Sequence, residues 1–201
     1  MRFFPTGLSG AVLIELDRQE DERGFFARTY CAREFADYNL ACNFVQCNLS
    51  FNRARGTLRG MHFQKPPHSE IKLVRCIRGS IYDVIIDLRP DSPTFASYFP
   101  VELSAENRLG LYIPEGFAHG FQSLENESEV FYQMGNFYEP GSGSGLRYDD
   151  PRVGIRWPLP VSVISEKDLG WPPFESWQNP FVNQAQSPES PQRWENDCVS
   201  F

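Results

Sequence analysis

The chain has 201 residues, 41% of them hydrophobic and 22% charged, an ordinary balance for a soluble globular protein that excludes wholesale disorder. Its 26 acidic residues against 19 basic ones give a net charge of −7, which argues against a nucleic-acid partner with its basic footprint but leaves room for a small anionic ligand held by a local Arg/Lys cluster. No run of about 18 apolar residues occurs, so no membrane-spanning helix is expected.

Aromatic residues reach 14%, with 17 Phe, and the chain also carries 15 Gly and 16 Pro. Short apolar segments broken this often by Gly and Pro predict an all-β barrel or sandwich with few helices. Met-Arg-Phe-Phe-Pro runs into Gly7 and Gly10 before any apolar stretch, so no secretory leader is expected. The first predicted strand is Val12–Leu16. Ala32, Phe35, Ala36 and Leu40 recur at helical spacing and predict one short helix over Ala32–Leu40. A strand follows at Phe44–Phe51, and Gly56 to Gln64 is strand-like.

Ile71–Ile77, ending at Arg78-Gly79, reads as the first arm of a hairpin turned on glycine, with Ser80–Leu88 as the second. That second arm sets Tyr82, Val84, Ile86 and Leu88 on one face and Ile81, Asp83, Ile85 and Asp87 on the other. Carboxylates interleaved with isoleucines describe the partly wet interior of a ligand-holding barrel. Further strands are predicted at Phe95–Leu103, Leu111–Ile113 and Glu129–Tyr138. After about Trp171 the composition turns to Ser, Gln, Asn and Pro. This predicts a domain over residues 1–174 and a dispensable mobile tail over 175–201, centred on Gln184–Asn196. Five cysteines at irregular spacing form no CxxC pair, as expected of reduced thiols in a cytoplasmic protein.

Only three histidines are present: His62, His68 and His119. His119 ends Pro114-Glu-Gly-Phe-Ala-His119, where Pro-x-Gly turns the chain sharply and the histidine opens the next strand. Arg59 and His62, three apart in a strand, fall on opposite faces unless a bulge intervenes, and Gly60 can supply one. Both would then point inward, placing a base beside an anion clamp. A metal-dependent cupin oxidoreductase using His62, His68, Glu70 and His119 is an alternative. Against it, the His-x-His pair that usually opens a metal-binding cupin motif is absent, since Phe63-Gln64 follows His62.

A longer string of residues carries a resemblance. It runs through Asp21-Glu-Arg23-Gly24-Phe25-Phe26, Phe44-Val-Gln46-x-Asn48-x-Ser50 and Leu58-Arg59-Gly60-x-His62-x-Gln64. It continues with Lys72-Leu73-Val74-Arg75, Gly79, Asp83-x3-Asp87-x-Arg89 and Ser92-Pro93-Thr94. It ends with Pro114-x-Gly116-Phe117-x-His119, Tyr132, Tyr138, Trp157-Pro158 and Ser165-x-Lys167-Asp168. Together these resemble the dTDP-4-dehydrorhamnose 3,5-epimerase family over roughly residues 1–173.

The resemblance implies a cupin-type jelly-roll β-barrel, a homodimer, and no metal or organic cofactor. It implies inversion at C3, and at C5, of a nucleoside-diphosphate 4-keto-6-deoxyhexose. It assigns His62 as base, Asp168 as its partner, Tyr132 as the acid on the opposite face and Lys72 as the holder of the C4 oxyanion. Arg59 suits the diphosphate through its bidentate fork. Arg23, His119, Gln46 and Asn48 add to the substrate grip, as do Lys167 and Tyr138, the latter at a position that stacks on the ligand. A non-catalytic sugar-nucleotide-binding cupin is the remaining alternative; it has no need of an acid and a base on opposite faces.

Two positions depart from the family pattern. Relatives usually carry Glu shortly after Gly-Phe-Phe, where this chain has Arg28, and Glu after Tyr-x-Pro, where it has Gly143. Both departures bear on the nucleotide end, so Arg28 joins the expected substrate-binding residues and the choice of nucleobase stays open.

Overall fold

In the computed structural model, which describes residues 1–182, the regular secondary structure is mostly antiparallel β-sheet with two short helices. The strands are β1 (Arg2–Pro5), β2 (Val12–Glu15), β3 (Arg18–Asp21) and β4 (Gly24–Ala27). A short helix, α1 (Ala32–Asp37), precedes β5 (Gln46–Asn52), β6 (Leu58–Gln64), β7 (Lys72–Arg78) and β8 (Ser80–Asp87). Then come β9 (Tyr98–Ser104), β10 (Gly110–Ile113), β11 (Phe117–Ser123), β12 (Ser128–Met134), β13 (Gly143–Gly145) and α2 (Glu166–Leu169).

Six strands form one sheet in the order β1-β2-β10-β7-β12-β5, and five form a second in the order β13-β6-β11-β8-β9. Strands β3 and β4 stand apart as a two-stranded ribbon. The two larger sheets face each other as the expected jelly roll.

The expected hairpin of β7 and β8 is not formed. The two strands belong to different sheets, β7 pairing with β10 and β12 while β8 pairs with β11 and β9. Gly79 does turn the chain, at φ +68°, but it carries it across the sandwich from one sheet to the other. A Cβ there would lie 2.7 Å from Ser128 Oγ, so the corner is closed to larger residues. Adjacency in sequence resembles a hairpin equally well, because both need a Gly turn between two apolar runs.

Between the sheets lies a core of Val74, Cys76, Ile81, Ile85, Leu103, Leu111, Ile113, Phe117, Phe121 and Val130. The outer face of the five-stranded sheet is also covered: Met61, Phe63, Val84, Ile86 and Leu88 pack against Leu146, Val153, Phe174 and Phe181. On the other sheet, Ile14, Ile71, Leu73 and Tyr112 pack against Phe35 of α1. With both faces of these central strands covered, even the charged residues Lys72 and Arg75 of β7 and Asp83 and Asp87 of β8 are buried. The expected alternation of β8 holds, with Ile81 and Ile85 in the core between the sheets and Val84, Ile86 and Leu88 on the outer face.

Several boundaries move: β5 begins at Gln46 rather than Phe44, and β12 ends at Met134 rather than Tyr138. The helix stops at Asp37 rather than Leu40, because Asn39 takes a left-handed conformation at φ +55°. Strand β9 begins at Tyr98 rather than Phe95, after a loop in which Ala96 sits at φ +60°. The compact part of the chain passes the expected limit at 174, since Trp177 packs on Phe63 and Phe174 and Phe181 is buried against Phe63. These two aromatics are the apolar residues of a polar stretch, and their burial removes 175–182 from the expected tail. The expectations for Gln184–Asn196 and Cys198 lie outside the described residues. Cys31, Cys42, Cys47 and Cys76 are free thiols.

Candidate active site

The sheets part at one end to leave an open cavity of about 520 Å³. Strand alternation decides what lines it. On β5 the even positions Gln46, Asn48 and Ser50 face the cavity, while Cys47, Leu49 and Phe51 are exposed on the outside. Strand β12 pairs with β5 in a register that sets Tyr132 opposite Asn48 and Met134 opposite Gln46. Lys72 enters from β7, opposite Met134. All of these come from the six-stranded sheet.

The opposite wall is the five-stranded sheet. It contributes Arg59, His62 and Gln64 from β6, His119 and Phe121 from β11, and Gly143 and Ser144 from β13. His62 pairs with His119, but Arg59 pairs with Phe121, so three steps along β6 match two along β11. The expected bulge is therefore present between Arg59 and His62, and it turns both side chains into the cavity. Gly60 adopts φ +134°, and a Cβ on it would lie 2.5 Å from Gly120 Cα. Two glycines allow the two strands this close approach.

His62 Nε2 lies 2.6 Å from Asp168 Oδ1. The Asp168 side chain is only 5% exposed, whereas His62 is 42% exposed to the cavity. Asp168 arrives on α2, whose cap Ser165 accepts the Asp168 backbone N–H at 3.1 Å through its Oγ. Its Oδ2 accepts the Gly60 N–H at 3.2 Å. Burial by itself pushes the Asp168 carboxyl up; hydrogen bonding and charge from His62, with the Gly60 and Ser165 contacts, outweigh it and hold the group below its usual value. With Nε2 committed to a carboxylate, Nδ1 is the imidazole nitrogen without a protein partner among the described residues.

A second imidazole–carboxylate pair lies deeper. His119 Nε2 is 2.8 Å from Asp83 Oδ2, and both residues are buried. Lys72, its side chain 9% exposed, contacts Glu70 Oε1 at 3.0 Å and donates to the His62 carbonyl at 3.4 Å. An ammonium has three donors, so one remains for a ligand oxygen.

Tyr132 carries no hydrogen bond to protein through its hydroxyl among the described residues. Burial raises its phenol above the usual value, opposed by the nearby charge of Arg59. Arg59 Nε donates to Asn52 Oδ1 at 2.7 Å and one terminal nitrogen reaches the Phe51 carbonyl at 3.3 Å, which aims the guanidinium while leaving donors spare. Gln46 and Asn48 are bonded to each other at 3.2 Å, and Gln46 Oε1 accepts the Tyr138 N–H at 3.0 Å. That last bond fixes Tyr138, 53% exposed, at the cavity rim.

Of the expected site residues, His62, Tyr132, Asp168, Lys72, Gln46, Asn48, Arg59, His119, Tyr138 and Lys167 line this one cavity. Arg23 and Arg28 do not. Arg23 follows β3 and is paired with Asp21 on the exposed ribbon, and Arg28 is paired with Glu34 at 3.1 Å. Their placement near a Gly-Phe-Phe motif gave no clue that this segment folds away from its own barrel.

The ligand set of the metalloenzyme alternative is not assembled. His62 and His119 each face a carboxylate, His68 lies outside the cavity lining, and Glu70 is paired with Lys72. Among the described residues no three His, Cys, Asp or Glu side chains converge.

Sequence reasoning missed Ser50, Ser144 and Trp171 as lining residues. Ser50 was legible from the two-residue period of Gln46 and Asn48; Trp171 was not, because its position depends on how the segment after α2 folds back.

A family model described as dTDP-4-dehydrorhamnose 3,5-epimerase matches residues 5–176. A protein of that name from Methanothermobacter thermautotrophicus is 46% identical over 182 residues, covering 89% of this chain and 96% of the relative. The crystal structure of the protein so named from Elizabethkingia anophelis superposes with a TM-score of 0.84 at 40% identity, covering 87% of this chain and 97% of that one. A Legionella pneumophila 3,5-epimerase solved with dTDP-4-keto-L-rhamnose gives a TM-score of 0.85 at 34% identity, covering 92% and 99%.

Proposed function

The chain belongs to the dTDP-4-dehydrorhamnose 3,5-epimerase family, and from that premise we propose that it inverts C3 and C5 of a dTDP-linked 4-keto-6-deoxyhexose. The observation that carries the reading is the placement of His62, backed by Asp168, and Tyr132 on opposite walls of one cavity, with Lys72 between them. Hydrogens on carbons flanking a ketone are acidic because the carbanion delocalises onto the carbonyl oxygen. Inversion therefore needs a base on one face, an acid on the other, and a donor at that oxygen.

In the proposed cycle His62 Nδ1 takes the C3 proton and the electron pair moves onto the C4 oxygen, where the free donor of Lys72 stabilises the enolate. Tyr132 then gives its hydroxyl proton to C3 from the other face. The resulting phenolate is reprotonated and the imidazolium deprotonated through solvent, and the same sequence repeats at C5. Asp168 orients the imidazole and balances its positive charge. Arg59 clasps the diphosphate, with His119, Gln46 and Asn48 completing the grip and Tyr138 and Lys167 at the rim.

We infer that the enzyme works as a homodimer. Phe26 is 69% exposed on the ribbon, and Leu49 and Phe51 are 57% and 45% exposed along the outer row of β5, an apolar surface suited to a second copy. A partner's ribbon is also the route by which Arg23 and Arg28 could reach a nucleotide, since neither reaches the cavity of its own chain. No helix of the described residues is long and apolar enough to cross a membrane, and a cytoplasmic location follows from the nucleotide-sugar substrate.

Incubation with dTDP-4-keto-6-deoxyglucose in D₂O tests the reading. Deuterium at both C3 and C5, seen by mass spectrometry and NMR, is the expected result. Label at C3 alone would narrow the activity to 3-epimerisation, and no label at either carbon would overturn it.

Arg59→Ala is expected to raise the Kd for dTDP by about 10- to 100-fold, the loss of one charge-assisted contact worth roughly 1.5–3 kcal/mol. Titration calorimetry measures it, with a melting curve to show that the Asn52 and Phe51 contacts of Arg59 are not essential to folding. An unchanged Kd would place the phosphates elsewhere.

A further inference from the structure

Trp171 has no part in the cycle above, yet it stands beside the base. Strand β13 pairs with β6 so that Gly145 lies opposite His62, and directly opposed residues of antiparallel strands project to the same face. A Cβ on Gly145 would lie 2.6 Å from Cε2 and Nε1 of Trp171. The indole thus occupies the volume that a side chain at 145 would take. Its ring centre is 6.3 Å from that of His62, with the planes 70° apart. Lys167 Nζ sits 5.6 Å from the indole centre, a cation–π contact. The indole Nε1 is buried with no hydrogen-bond partner among the described residues, and packing and Lys167 hold the ring. One short segment therefore supplies two neighbours of the imidazole: Asp168 from within α2, and Trp171 just past its cap, Gly170.

Resting on the epimerase reading, we propose that Trp171 is a substrate-binding residue that packs against the hexose and not the nucleotide. A hexose whose C3 hydrogen meets His62 extends along the wall that Trp171 forms, because the two rings adjoin in the same cavity lining. An indole face offers a large, rigid apolar surface to the C–H side of a sugar ring. The dTDP moiety is gripped by other residues, chiefly Arg59, so the contribution of Trp171 should appear only when the hexose is present.

Wild type, Trp171→Phe and Trp171→Ala titrated with dTDP and with dTDP-glucose separate these contributions. dTDP is expected to bind all three with closely similar Kd. dTDP-glucose is expected to bind Trp171→Ala about tenfold more weakly than wild type, with Trp171→Phe recovering most of the loss. dTDP-glucose, but not dTDP, should alter the tryptophan emission of wild type, and that change should vanish in Trp171→Phe. Equal binding of dTDP-glucose by wild type and Trp171→Ala would overturn the proposal. So would a matching loss of dTDP affinity, which marks a merely structural role, or an emission change produced by dTDP alone. Failure of wild type to bind either probe would instead overturn the epimerase reading, and this inference with it.

Discussion

His62→Ala is expected to lower deuterium incorporation at C3 and C5 by about 10²- to 10⁴-fold, the usual contribution of a positioned general base, while the Kd for dTDP stays near that of wild type. The separation follows from the geometry. His62 is fixed by a 2.6 Å contact between its Nε2 and Asp168, while Arg59, the residue expected to lead the diphosphate grip, is anchored independently of it through Asn52 and the Phe51 carbonyl. Removing the imidazole takes away the proton acceptor and leaves that grip in place.

Asp168→Asn is expected to lose exchange as well. The carboxyl is held below its usual value in the fold, so it stays anionic as pH falls until that lowered value is reached, and the amide can neither orient nor balance an imidazolium in the same way. D₂O exchange followed by NMR, paired with calorimetry on dTDP, gives both readouts. Exchange by His62→Ala at the wild-type rate would place the base elsewhere.

Tyr132→Phe is expected to separate proton abstraction from inversion. Formation of the epimerised product should fall by about 10²- to 10⁴-fold, while label continues to enter C3 of sugar that keeps its original configuration. His62 still removes the proton in this variant, and the enolate held by Lys72 can only be reprotonated from the face it left. Burial raises the phenol above its usual value, with Arg59 opposing. It therefore carries its proton throughout the neutral range. Chiral analysis of the recovered sugar, alongside its deuterium content, distinguishes the outcomes. Full epimerisation by Tyr132→Phe would show that another group delivers the proton.

Parts of the site were legible in short motifs with physical signatures, while the roles of His62, Tyr132, Lys72 and Asp168 came through the family resemblance. Arg59-Gly60-x-His62 pointed to a bulge, and the register between β6 and β11 contains one. The alternation of β8 identified Asp83 as an interior carboxylate, and it meets His119. Asp168 lies 106 residues from His62 in the chain, so no local spacing joins them; the resemblance did. The misreadings share a cause. The Gly79 turn and the boundary at 174 each depended on which surface a segment would meet, and local patterning is silent on that.

By itself the sequence determined the β-rich class and the two faces of β8, which follow from the two-residue period of a strand, while the acid–base set suited to enolate chemistry entered through the family resemblance. Tertiary structure alone decided that β7 and β8 part into opposite sheets, that Trp177 and Phe181 close the outer core, and that Trp171 fills the space Gly145 leaves beside His62. Such contacts join residues far apart in the chain, and they are selected by the shape and volume of the whole packed interior, which no single segment encodes.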